Sequence, residues 1–422
     1  MREKKKYFIT AAFLSLLACL PMVSADEIDD FFQAPTDEGS EAASTTTAPQ
    51  ASPLQRYQAE REKLSLSWNL SAGGGIYAGW KSLGDLSDPE STFLHSSVGT
   101  ISLTSTLDLR PFDYLRIHES SSIAYPGSTF TFGFGNISWF NELFFDYSLP
   151  SGFAIRMGKY GVAWGNARIL SVANLPGRTV NTAAMDPEIE ILPSWLQTPA
   201  PSLWLKGSLP LGSVTFTSLM GLPSAADQGL SALVYAGQAE WVKGKTYLGL
   251  AGLYQQDRSP RCALMVKTSA WNIDFYLDSC LAFRNGNDPL ASIMGGIYYQ
   301  PGTGPEIKAL YELRWNGESS AAGGLVSDAL GQGGLSQAVG FSWSSVGGTS
   351  LDMGLTWYHY WEDNSGAVVA VLSYPLAPSL SLKALLPLIY GGSDSYYVKN
   401  PPSETYGYAA GAALMIVIKA DF

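Results

Sequence analysis

The side chains that could do covalent chemistry are few and scattered. The 422 residues include three histidines, His95, His118 and His359, and none has a partner at metal-ligand or triad spacing. His118-Glu119-Ser120 has the residue types of a hydrolase. Neighbours on a strand point to opposite faces, however, so His118 and Ser120 share a face that Glu119 does not, and no third group can be placed. Gly331-Gln332-Gly333-Gly334 lacks the strand and helix that frame a nucleotide loop and reads as loop glycine. No enzyme activity, cofactor or metal centre is expected.

A second group of residues has an arrangement. Where apolar and polar residues alternate, Arg110, Arg116, Arg156 and Lys206 fall on the polar faces of the second, third, fifth and sixth strands, and Glu142 and Asp146 on that of the fourth. On neighbouring strands these form one wall of mixed charge. Opposed charges across a narrow wet passage set up a transverse field that orients polar solutes. The plainer reading is that they pair with one another and keep an interior wet.

Close to this wall lies a segment from Tyr160 to Pro201, at about forty residues far longer than an ordinary hairpin connection. It contains Trp164, Arg168, Arg178, Asp186, Glu188, Glu190 and Trp195. Such a loop either folds inward and narrows a passage or stays outside as a lid or surface epitope. Folded inward, it should bring Arg168 or Arg178 near Glu142, Asp146, Arg116 or Arg156, whose strands are closest to its root.

The elements that must position these residues are strands. Leu64, Leu66, Trp68 and Leu70 alternate with Ser65, Ser67, Asn69 and Ser71, and Ile307, Ala309, Tyr311, Leu313 and Trp315 alternate with Lys308, Glu312 and Arg314. Eight tight turns are legible, at Arg110-Pro111-Phe112-Asp113, Pro150-Ser151-Gly152, Pro210-Leu211-Gly212, Lys243-Gly244-Lys245, Thr268-Ser269-Ala270, Pro301 to Pro305, Val346-Gly347-Gly348 and Leu376-Ala377-Pro378. With both chain ends on one side, eight turns imply nine hairpins and eighteen strands, sixteen being the alternative. Residues 64–422 then give about 20 residues per strand and connection, enough for strands that cross a bilayer in roughly 9 to 11 residues.

Composition points the same way. Charged residues are 15% of the chain, while Gly (43), Tyr (22), Phe (18) and Trp (12) are abundant. A soluble enzyme carries about a quarter charged residues. A membrane helix needs roughly 20 continuous apolar residues, and the best run outside the amino-terminal segment, Ala409 to Ile418, is about half that. What remains is an all-β, transmembrane, antiparallel up-and-down barrel, read as monomeric, in which every backbone group pairs between strands. Trp80, Trp139, Trp315, Trp357 and Trp361 then read as interfacial girdles.

Before the barrel come two segments of other character. Residues 1–25 read as a signal peptide: four cations among the first six residues, an apolar run from Tyr7 to about Val23, and small residues at Val23-Ser24-Ala25. Leu16-Leu17-Ala18 before Cys19 also resembles a lipoprotein box, though a cysteine in an apolar signal core is the plainer reading. Residues 26–63 are acidic and rich in Ser, Thr, Ala and Pro, a composition that reads as a disordered periplasmic linker. Without the five charges of the signal the chain has 22 basic and 36 acidic residues, a net charge of −14, which argues against a nucleic-acid partner. Cys262 and Cys280 lie across one hairpin, where a disulfide is permitted in an oxidising compartment.

Two resemblances complete the reading. At the carboxyl terminus Tyr406, Tyr408, Ala410, Ala412, Leu414, Ile416, Ile418, Ala420 and Phe422 occupy every second position. This resembles the last strand of bacterial outer-membrane barrels, in which a final aromatic is read by the barrel assembly machinery. Arg156-Met157-Gly158-Lys159 followed by Trp164-Gly165 is similar to the strand-to-loop pattern of eighteen-stranded alginate-export-type porins, with Tyr160 where that pattern has Gln. The resemblance implies an outer-membrane channel in a diderm bacterium, with Arg156 in the lumen and Trp164 and Gly165 at the turn. Partners are then outer-membrane lipid and small hydrophilic solutes diffusing passively. A surface adhesin or structural barrel without a pore is the alternative, and would place function in loops 317–334 and 393–404.

Overall fold

The computed structural model describes residues 65–80, 93–112, 114–125, 140–149, 152–176, 202–222, 233–255, 259–283, 288–301, 307–317, 334–399 and 410–421. The expected signal and linker segments, Trp139, Arg178, Asp186, Glu188, Glu190, Trp195, Gly331 to Gly333, Tyr406, Tyr408 and Phe422 lie outside these residues.

The strands are β1 Ser65–Trp80, β2 Phe93–Phe112, β3 Leu115–Tyr125, β4 Phe140–Ser148, β5 Ala154–Tyr160, β6 Ser202–Leu211, β7 Val214–Leu222, β8 Val234–Lys243, β9 Thr246–Gln255, β10 Arg261–Ala270, β11 Ile273–Ala282, β12 Leu290–Tyr299, β13 Ile307–Asn316, β14 Gly334–Trp343, β15 Asp352–Tyr360, β16 Ser365–Ala377, β17 Leu380–Tyr390 and β18 Ala410–Asp421. Each pairs antiparallel with the next, and β18 returns to β1 in a register running from Asn69↔Asp421 to Trp80↔Ala410. This single closed eighteen-stranded sheet has no edge, so its ladder groups are paired without help from solvent.

Burial decides which face is which. On β13, Tyr311, Leu313 and Trp315 are exposed while Leu310, Glu312 and Arg314 are buried. The outer surface is therefore apolar and the charges face inward, the inverse of a soluble sandwich and the pattern of a barrel standing in lipid. On β18, Leu414, Ile416 and Ile418 are likewise exposed and Ala413 is buried.

Seven of the eight expected turns fall at or against strand connections. One is displaced: β10 continues through Thr268-Ser269-Ala270, and the turn is Trp271-Asn272, both with positive φ (51° and 64°). Such two-residue turns normally use Asn-Gly or Gly, so the local residues gave little signal. Cys262 and Cys280 form no disulfide. Cys280 pairs with Ala263, one position off, so the two sulfurs lie on opposite faces of the wall.

Candidate functional site

The charged wall is a continuous row. Arg116, Asp146, Arg156 and Lys206, on β3, β4, β5 and β6, are successive cross-strand partners. Arg156 grips Asp146 with two bonds, Nε to Oδ1 at 2.6 Å and Nη2 to Oδ2 at 2.9 Å. Arg116 donates Nε (2.8 Å) and Nη2 (2.5 Å) to Oδ2 of Asp108, and its Nη1 lies 3.6 Å from Asp146. Arg110 donates to the other oxygen of Asp108 at 3.1 Å. His118 stands between Asp108 (3.7 Å) and Glu142 (3.8 Å). Cations and carboxylates thus alternate from Arg110 to Arg156, and the row ends on Lys206. These groups line the inside yet are not sealed off: the side chains of Arg110, Arg116 and Arg156 are 37%, 32% and 36% exposed.

Phe144 supports this row from below. Its ring centroid is 4.2 Å from the Arg156 guanidinium, a cation–π contact, and 4.8 Å from the His118 ring. The backbone of β4 approaches Gly158 so closely that a Cβ there would run into the Leu143 carbonyl oxygen and the Phe144 Cβ. With φ at +142° the position suits only glycine.

The segment after β5 crosses the interior. Residues 166–170 turn successive backbone N–H groups toward two carboxylates on the far wall. Asn166 donates its N–H (2.7 Å) and side-chain amide (2.8 Å) to Asp278, and Ala167 N–H donates to the same carboxylate at 3.2 Å. Arg168, Ile169 and Leu170 donate their N–H groups to Glu312 at 2.7, 3.0 and 2.6 Å, and the Tyr276 hydroxyl adds a fourth bond at 2.7 Å. Asp278 and Glu312 are fully buried. A buried carboxylate is tolerated where it accepts several hydrogen bonds, and five consecutive amides off the ladder need acceptors, so each set satisfies the other.

Apolar packing completes the clasp. Ile169 and Leu170 are buried with Tyr276, Met294, Tyr358 and Ile389, and Trp164, Ala173 and Leu175 with Trp204, Leu219 and Met265. The buried clusters that include the clasped segment run along the inner walls from β4 through β17, reaching Phe144 and Tyr160 beside the charged row. A short helix, α1 Tyr396–Lys399, joins the same cluster through Tyr397. Gly165 makes the turn into the clasp: its φ is +98°, and a Cβ would lie 2.9 Å from Asp278 Oδ2.

The candidate positions Arg110, Arg116, Glu142, Asp146, Arg156 and Lys206 are thus brought together, while Arg168 goes elsewhere. Instead of approaching them it lies over the Tyr298 ring at 3.5 Å and 3.6 Å from Asp274, on β11 and β12. The eight residues from Tyr160 can extend about 26 Å, enough to cross the lumen, so closeness to the root was a poor guide. Asp278 and Glu312 were missed as site residues. Glu312 was visible as a charge on a polar face, but its partner lies 142 residues away.

No protein-family model matches the chain, and no curated protein sequence matches it. Solved structures do match in shape. Pseudomonas aeruginosa OccK2 (OpdF) shares 10% identity with a TM-score of 0.51, covering 85% of this chain and 98% of that one. OccK2 in complex with glucuronate gives the same score and identity, over 85% and 96%. Pseudomonas aeruginosa OccK3 (OpdO), at 8% identity and a TM-score of 0.50, covers 88% and 99%. What this chain shares with them is the fold, the outer-membrane porin barrel.

Proposed function

We propose that the protein is an outer-membrane channel for passive diffusion of small hydrophilic solutes, and that the space between the charged row and the clasped segment is its constriction. The observation that carries this reading is the clasp. Five consecutive amides fix an inward segment in a lumen whose charged row keeps about a third of the side-chain surface of its three arginines exposed. A barrel serving only as a surface platform needs no such device, whereas a channel needs a narrow part of defined size and charge. The row has four cations, Arg110, Arg116, Arg156 and Lys206, against three carboxylates, Asp108, Glu142 and Asp146, a surplus of one that favours anions where water is scarce.

The shape shared with OccK2, a protein solved with glucuronate, supports a small polar solute without naming this chain's own. The likeness of Arg156 to Gly165 to alginate-export-type channels bears only on where strand passes into loop. Within the same proposal, residues 1–25 direct export, residues 26–63 lie in the periplasm, and the carboxyl-terminal strand with Phe422 engages the assembly machinery. Planar-bilayer recording of pure refolded protein tests it: discrete conductance steps are expected, and a folded barrel that never opens would favour the adhesin or plugged-barrel reading.

A further inference from the structure

Of the groups in the charged row, His118 on β3 is the one whose charge is conditional. An imidazole changes charge between about pH 5 and 8, a range in which arginine, lysine and ordinary carboxylates keep theirs. His118 is the cross-strand partner of Asp108 on β2 and of Phe144 on β4, one rung from the row of Arg116, Asp146, Arg156 and Lys206. Its Nδ1 lies 3.7 Å from Asp108 Oδ2 and its Nε2 lies 3.8 Å from Glu142 Oε2. Each ring nitrogen thus faces a carboxylate oxygen. Nδ1 is buried and makes no hydrogen bond. A neutral imidazole has a single N–H, so one of its nitrogens must turn a lone pair toward a carboxylate. The imidazolium has an N–H for each.

The three carboxylates of the row differ in what else holds them. Asp108 is met by Arg110 and Arg116, and Asp146 by Arg156 and Arg116. Glu142 has no arginine or lysine in ion-pair contact among the described residues. Besides His118 it meets the Gly161 N–H, at 3.4 Å. With 38% of its side chain exposed, against 16% for Asp108 and 23% for Asp146, it is also the most open to the lumen. The surroundings of the imidazole are therefore Asp108 and Arg110 from β2, Arg116 from β3, Glu142, Asp146 and the Phe144 ring from β4, and Arg156 from β5. The one cation that Glu142 can acquire is His118 itself.

We infer that His118 sets the ionic preference of the channel according to pH. With a neutral imidazole the row has four cations against three carboxylates, a surplus of one. A proton on His118 makes it five against three, a surplus of two, so anions are favoured more strongly as the solution is acidified. This rests on the reading that the charged row lines the constriction.

The test is the reversal potential of single channels of the full chain in a potassium chloride gradient, read across about pH 5 to 8. In the native protein the anion-to-cation permeability ratio should rise by roughly twofold or more from the alkaline to the acid end. His118→Gln, neutral throughout, should hold the alkaline ratio at every pH. His118→Lys, charged throughout, should hold the acid ratio. If one variant fails to insert, the other decides. A native ratio that is flat across the range, or a titration that persists in either variant, would overturn the inference. Arg156→Glu, measured at the alkaline end, separates this from a failure of the constriction reading. A flat native ratio with shifted selectivity in Arg156→Glu removes the role of His118 alone, and a flat ratio with no shift in Arg156→Glu removes both.

Discussion

Glu312 on β13 accepts the backbone N–H of Leu170 at 2.6 Å across 142 residues of chain, and neither residue reaches solvent. That bond and its four neighbours to Glu312 and Asp278 make the inward segment part of the barrel wall. The shape of the lumen is consequently set by two carboxylates on strands as much as by the loop sequence.

Glu312→Gln should loosen the clasp. The amide keeps one accepting oxygen and turns a donor group toward backbone N–H donors, and each buried donor left unpaired costs about 1–3 kcal/mol. Hydrogen exchange at residues 168–170 should accelerate by roughly tenfold or more, with larger, noisier channel openings and an unchanged barrel. Exchange as slow as in the native protein would show that packing of Ile169 and Leu170 holds the segment by itself.

Gly165→Ala should act at the same place by another route. Its φ of +98° is strained for alanine, and the added carbon would meet Asp278 Oδ2 at 2.9 Å. A strained position of this kind costs about 1–3 kcal/mol. Limited proteolysis should cut between 161 and 176 faster than in the native protein, while the heat-dependent shift in gel mobility that marks a closed barrel stays in place.

Much of this was legible in sequence because it is local. A period of two and eight turn signals suffice for eighteen strands, since each strand needs only its own residues and the next turn. The charged row was legible for the same reason: parity alone assigns Arg116, Asp146, Arg156 and Lys206 to one face. Register is not local. That Arg116, Asp146, Arg156 and Lys206 pair directly and that Cys262 misses Cys280 by one position follow only from pairing. The clasp was least legible, because Asp278 and Glu312 look like any lumen charges until the segment that meets them is placed.

Asp146→Asn should raise anion preference. It removes the carboxylate that holds Arg156 by two bonds and neutralises part of the field at Arg116. Because Asp146 and the arginines it meets are all partly exposed, the loss in stability should be small, within about 1 kcal/mol. Thermal unfolding should thus move little while the reversal potential in a salt gradient shifts toward the anion value. A shift toward cations would mean that the row does not face the permeating ions.

The account stands most directly on the reversal potential of single channels in a salt gradient, compared between the native protein, Arg156→Glu and a chain lacking residues 26–52. With the constriction between the charged row and the clasped segment, Arg156→Glu should move selectivity toward cations and change the conductance. The truncation should do neither, although those residues are acidic. Equal selectivity in the native protein and Arg156→Glu, with channels opening normally in both, would contradict the claim that this row lines the narrow part of the pore.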